Sequence, residues 1–201
     1  MFNTTPLDIR LRDAVVEDSL CLAALGLQVF LDTYATDGIR ASIAQEAFEA
    51  FSCQAVARII AQPETFIMVA ESNGHLVGFA QVALHTAHEM IDDSAQAAEL
   101  QRLYVQERFT GHGLGRRLLK AAEQHAARDG ASLLWATVWV GNERALAFYP
   151  GMGYSLKGSP VYVFQGEEHG NRLFAKRLDG DEVQSHTSSV LISDASKEPL
   201  P

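Results

Sequence analysis

Gly111, Gly113 and Gly115 alternate through Thr110-Gly111-His112-Gly113-Leu114-Gly115, between an apolar run and a stretch with helical spacing. The first N–H groups of a helix have no partners within it, and the positive end of the dipole lies behind them. Where side chains are missing at that end, the backbone can approach a phosphate closely, so this segment reads as an anion site suited to a pyrophosphate. A plain strand-to-helix turn requires fewer glycines. Two other phosphate motifs fail on residues. A P-loop needs Gly-Lys followed by Ser or Thr, and here Arg116-Arg117 follows Gly115. The dinucleotide fingerprint needs glycine where Arg116 stands.

The second chemical cluster runs from Asn142 through Ala145, Phe148 and Tyr149 to Gly153-Tyr154. Asn142 is a sound helix cap, and Pro150 ends the helix at Tyr149 by disfavouring helical geometry in the residue before it. His85 and His88 stand three apart without a third ligand cluster, so no metal centre is expected.

Several elements must hold these residues. Ile9–Asp13 alternates as a strand, Asp18-Ser19 offers a cap, and Leu20–Tyr34 has helical spacing. A second helix is predicted from Ala41 to Ala61, with Phe48 and Phe51 on its apolar face, stopping before Pro63. Phe66–Ala70 and Leu76–Leu84 flank Ser72-Asn73-Gly74 as a hairpin, and Ala98–Val105 is the strand before the glycines. The polar stretch Thr86–Gln96 between them is a candidate substrate loop. Gly115–Arg128 reads as a helix with a left-handed cap at Gly130, and Leu133–Val140 as a buried strand. Tyr154–Leu156, Val161–Phe164 and Arg172–Leu178 close the order as strands. Hairpins mixed with strand-helix-strand crossovers imply an α/β (α+β mixed) fold. Its central twisted sheet is mixed and mostly antiparallel, with about six to seven strands and about four helices over both faces.

The 201 residues, 47% hydrophobic, suit one domain over 1–179, and the Ser-, Asp- and Glu-rich segment 180–201 reads as a disordered tail. A net charge of -9 excludes a nucleic-acid partner and favours steering of cations. No run approaches the roughly 20 apolar residues of a membrane span, and no basic-then-apolar signal pattern opens the chain, so a cytoplasmic protein without membrane partners is expected. Cys21 and Cys53 are expected to be buried free thiols.

The glycine segment resembles the core motif of the GNAT superfamily of N-acetyltransferases: Gln or Arg, two residues, Gly, one residue, then Gly or Ala. Gly113 and Gly115 take the small positions, and Thr110 stands where the family has Gln or Arg. Asn142 to Tyr149 with Gly153-Tyr154 is similar to the family's other signature, and Glu99-Leu100-Gln101-Arg102-Leu103-Tyr104-Val105 looks like its bulged fourth strand. A fainter likeness, in Gln28 to Tyr34, points toward the polyamine or small-amine branch.

The resemblance implies acetyl-CoA as acyl donor, held by Leu103, Tyr104, Val105, Thr110, Gly111, His112, Gly113, Leu114, Gly115, Arg116, Asn142, Ala145, Phe148 and Tyr149. It implies direct attack, in a ternary complex, by a primary amine of a small molecule, polyamine-like or similar, or of a peptide. Tyr149 would protonate the departing sulfur, and Glu99 would draw off the amine proton through water. Tyr34 and the Thr86–Gln96 loop are expected at the acceptor site. Dimers are common in the family, so a homodimer is compatible. The competing readings are a non-catalytic acyl-CoA sensor and a dinucleotide-dependent oxidoreductase, the latter opposed by Arg116.

Overall fold

The computed structural model describes residues 8–91, 96–164 and 167–178. The expected tail and part of the polar stretch, residues 92–95, lie outside them. In chain order the elements are β1 (Arg10–Asp13), α1 (Ser19–Tyr34), α2 (Ala41–Ala50), α3 (Cys53–Ile60), β2 (Thr65–Ser72), β3 (His75–Ala83), β4 (Ala97–Val105), α4 (Leu114–Arg128), β5 (Leu133–Trp139), α5 (Glu143–Gly151), β6 (Ser155–Gly158), β7 (Val161–Phe164) and β8 (Glu167–Arg177). The sheet runs β1-β2-β3-β4-β5-β8-β6, with β7 also paired to β8. Every pairing is antiparallel except β4 with β5. The fold is therefore the mixed, mostly antiparallel α/β architecture the sequence implies. No helix among the described residues is long and apolar enough to cross a membrane.

Two apolar layers cover the sheet. On one face α4 and α5 bury Leu118, Leu119, Ala122 and Tyr149 against Ala80, Val82, Leu100, Ala136 and Phe174. On the other, α1 and α3 bury Leu22, Leu25 and Val56 against Ile67, Val69 and Phe79, while Phe30 of α1 packs with Ala47 and Phe51.

The expected single helix over Ala41–Ala61 is two helices. Ser52 adopts an extended conformation and its hydroxyl accepts the Ala55 N–H at 3.1 Å, so a new helix is capped where the first would have continued. The break turns Phe51 inward and leaves Phe48, expected on the apolar face, 68% exposed. Asp18 does not cap α1. Its carboxylate instead accepts the Val15 N–H at 2.9 Å and two bonds from Arg12 at 2.6 and 2.9 Å. Both cysteines are exposed rather than buried, because Cys21 lies off the Leu22/Leu25 stripe and Cys53 opens α3. Helix α5 runs through Pro150 to Gly151 and closes where Gly153, at φ +84°, lets the Tyr154 N–H reach the Tyr149 carbonyl at 3.1 Å. A proline in the last turn gives up only one helical hydrogen bond there. Strand β8 begins five residues before the expected Arg172, since its polar start pairs with β7 as a hairpin. At the end of α4, Gly130 at φ +89° and the Ala131 N–H to Ala126 carbonyl bond of 2.9 Å form the expected left-handed cap.

One irregularity positions the site. The parallel ladder pairs Ala97, Ala98 and Glu99 with Leu133, Leu134 and Trp135 and then stops. Strand β4 nevertheless runs on to Val105 and β5 to Trp139, leaving a gap in the middle of the sheet.

Candidate functional site

The glycine segment lies at the N-terminus of α4, as its sequence requires. Gly111 and Gly113 adopt φ +76° and +77°, a region that favours glycine, and a Cβ added at either would meet nothing within 4 Å. Conformation, not crowding, selects glycine at these two positions, and the space above them is open. Gly115 differs: it lies inside α4, and a Cβ there would make only an ordinary contact with the Phe148 ring at 3.9 Å. No side chain caps α4; the Arg117 N–H is the first to find a helical partner, in the Gly113 carbonyl. The N–H groups of Leu114, Gly115 and Arg116 thus form the orphan first turn. Thr110 turns away, its hydroxyl donating to the Glu107 carbonyl at 2.8 Å, and exposed His112 places Nδ1 2.7 Å from the Thr110 carbonyl. Arg116 is exposed at the mouth of the loop.

The edge of β4 continues this surface. The Gln106 N–H donates to the Val77 carbonyl at 3.0 Å. By strand alternation the backbone groups of Tyr104 therefore also face β3, whereas those of Leu103 and Val105 face the gap. Behind them β4 is bulged: the register passes from Gln81/Arg102 to Val82/Leu100 and leaves Gln101 unpaired. Tyr104 thus presents its ring, rather than its backbone, to a site, and it does so on the α1 face.

On the α4 side, Asn142 accepts the Ala145 N–H at 3.0 Å and caps α5. Tyr149 is 6% exposed. Its ring stacks on Phe174 with centroids 5.6 Å apart and meets Tyr154 and Phe148 edge-on at 5.3 and 5.4 Å. Burial raises its hydroxyl above the ordinary tyrosine value, with a further push from the charge of Tyr34. Tyr34 belongs to the opposite face of the sheet.

That opposite face carries a cavity of about 910 Å³ lined by Phe30, Tyr34, Asp37, Arg40, Ile43, Glu46, Phe51, Gln101, Arg102, Tyr104, Trp139, His169 and Asn171, among others. Tyr34 lies between Phe30 and Trp139, its ring tilted to both, with centroids 4.8 and 5.7 Å away. Burial raises the Glu46 carboxyl above its usual range, partly offset by His169 and Arg102. Glu99 is one step removed from this lining: its Oε2 accepts a 3.2 Å bond from Gln101, and burial raises its carboxyl as well. The Thr86–Gln96 loop does not line the cavity where it is described. Trp135 donates to the Thr86 carbonyl at 2.8 Å and Ile91 is buried against Leu133 and Trp135, so this stretch covers core instead.

The structure thus places Gly111, Gly113 and Leu114 at the N-terminus of α4, directs the backbone groups of Leu103 and Val105 into the gap, and buries Tyr149 against Phe174 on the α4 face. It turns Thr110 toward its own backbone, and it puts Tyr34 and Tyr104 at the cavity. Glu46, Arg102 and Trp139 escaped the sequence reading. A carboxylate three residues after Ile43, on the border of an apolar stripe, was the only local sign of Glu46.

The family model for the acetyltransferase (GNAT) family matches residues 33–154. An uncharacterized N-acetyltransferase from the pepI 3′ region of Lactobacillus delbrueckii subsp. lactis is 26% identical over 156 residues, 77% of this chain and 89% of that protein. The spermine/spermidine N(1)-acetyltransferase of Bacillus subtilis is 31% identical over 96 residues, covering 47% of this chain and 61% of the relative. The fold is similar to the PaiA N-acetyltransferase of Thermoplasma acidophilum, solved with coenzyme A. The TM-score is 0.66 at 21% identity, over 85% of this chain and 99% of that one.

Proposed function

This chain belongs to the GNAT family of acetyltransferases, and we propose that it acetylates a small-molecule primary amine bound in the cavity beneath Tyr34 and Trp139. It is an acyl-CoA-dependent acetyltransferase, and acetyl-CoA is its acyl donor. The observation that carries the proposed arrangement is the open N-terminus of α4, which no side chain caps, on a sheet whose parallel ladder breaks off at Glu99. The bare N–H groups of Leu114 to Arg116 receive the diphosphate of the donor, with the α4 dipole behind them. Gly111 and Gly113 keep the approach clear. Leu103 and Val105 offer backbone groups to the amide-bearing arm as a neighbouring strand would. Arg116, His112, Asn142, Ala145 and Phe148 form the rim of this groove, while Thr110 contributes through its backbone.

The neutral amine enters from the cavity face and attacks the thioester carbonyl, forming the C–N bond while the carbonyl oxygen gains negative charge. The Leu103 N–H, directed into the gap, stabilises that oxyanion. Collapse breaks the C–S bond. Tyr149, whose raised hydroxyl keeps its proton across neutral pH, donates a hydrogen bond to the leaving thiolate. Because an ordinary thiol is more acidic than a phenol, this hydrogen bond, rather than full proton transfer, is the contribution a buried tyrosine makes best. The proton released by nitrogen passes through water to Glu99, whose raised carboxyl makes it a better base than an exposed glutamate.

Release of free thiol from acetyl-CoA on addition of mixed primary amines tests this reading directly. Turnover with at least one amine class is expected. Acetyl-CoA raising the melting temperature without thiol release across a broad panel would support a sensor instead.

A further inference from the structure

Charge inside the cavity is arranged differently from charge over the whole chain. The chain carries -9, yet among the described residues that line the cavity two carboxylates, Asp37 and Glu46, stand beside two guanidiniums, Arg40 and Arg102. A linear polycation would need an excess of acids along its length, and among the described residues the wall does not supply one.

Arg102 is the informative member. It projects from the bulged segment of β4 into the cavity, on the face opposite the α4 glycines. Among the described residues no carboxylate lies within the 4.0 Å of an ion pair with its guanidinium. It is held instead by neutral groups. Its Nη1 donates to Oε1 of Gln81, a side chain only 4% exposed, and its guanidinium lies over the Phe51 ring, 5.0 Å from the centroid. Gln81 is fixed in turn by donating to Gln101 at 2.6 Å. A fork held in place by an amide and an aromatic ring keeps donors for a planar anion. Glu46 and the Tyr34/Trp139 pair line the same cavity and are groups suited to an ammonium.

We infer that the acceptor is a zwitterion: an amino acid with a large apolar or aromatic side chain, whose carboxylate is received by Arg102 while its amine faces Glu46 and the gap. This rests on the transferase reading above. A volume of about 910 Å³ accommodates such a molecule, and the aromatic walls match an apolar side chain. Arg102 is a specificity residue in this account.

The test is thiol release from acetyl-CoA with matched pairs that differ only in the carboxylate: phenylalanine and phenethylamine, tryptophan and tryptamine, ornithine and putrescine. The wild-type enzyme is expected to favour the carboxylated member of the aromatic pairs by about 10- to 100-fold in kcat/KM, the range a charge-assisted hydrogen bond supplies. Arg102→Gln should bring that ratio close to one, mainly through the KM of the amino acid, and Arg102→Lys should restore part of it. A ratio near one in the wild type, a preference for the decarboxylated amine, or an Arg102→Gln ratio equal to wild type overturns the inference. Turnover of spermidine or putrescine with none of the amino acids also overturns it, while leaving the transferase intact. Absence of thiol release with every amine tried overturns the transferase reading itself.

Discussion

The two faces of the sheet beside the β4/β5 gap are built by different means. On the α4 face the site is made of backbone: two left-handed glycines, an uncapped first turn and a strand edge, all between Leu103 and Arg116. On the α1 face it is made of side chains from α1, α2, β4, β5 and β8, held by tilted ring contacts and a buried amide. In the proposed arrangement the backbone site takes the donor that every reaction of this kind shares, and the side-chain site sets the acceptor. Tyr149 is buried on the first of these faces, and Tyr34 lines the cavity on the second.

This division predicts separable effects. The largest belongs to the backbone face. Gly113→Val puts a β-branched residue at φ +77°, a conformation it cannot hold without strain. The expected result is a rise in the KM for acetyl-CoA of about 100-fold with the acceptor KM changed far less. Equal losses for both substrates would break the comparison. Next is the gap itself: Tyr149→Phe should lower kcat by about 10- to 100-fold while acetyl-CoA binding, read by calorimetry, stays within about threefold. Unchanged turnover would remove Tyr149 from the mechanism.

A smaller effect belongs to the cavity face. Glu46→Gln should raise the acceptor KM by about 10-fold without altering the KM for acetyl-CoA. The wild-type pH profile should sharpen this assignment. Burial raises both Glu46 and Glu99, so kcat/KM should fall as pH drops toward a value above the ordinary glutamate range. In Glu99→Gln that acidic limb should move or vanish. The smallest effect is on stability. Arg12 holds Asp18 below its ordinary value, so the pair contributes fully above that value, and its contribution disappears as pH falls through the depressed one. Asp18→Asn should cost about 1 kcal/mol at neutral pH and nothing in strong acid, by thermal melts on both sides of about pH 4.

The same contrast explains what could be read from sequence. The hairpin turn at Asn73-Gly74, with φ +50° and +78°, the α4 glycines and the Gly130 cap are local, and the residue types announce their backbone geometry. Likewise Asn142 announced its cap. The split at Ser52 was harder, because Phe48 and Phe51 fit one apolar stripe and only burial of Phe51 against Phe30 and Tyr104 decides between them. Pro150 misled for a related reason: its effect depends on its place in the last turn, which Gly153 fixes from beyond the helix. The cavity was nearly illegible. Glu46, Arg102 and Trp139 are far apart in the chain and meet only through the sheet order, and no spacing rule links them.

Amide chemical shifts during an acetyl-CoA titration show whether the donor sits at the α4 N-terminus. The amides of Gly111, Gly113 and Leu114 to Arg116 are expected to move most, together with Leu103 and Val105, and amides around Glu46 least. Saturable binding that leaves the α4 N-terminus unshifted would contradict this placement.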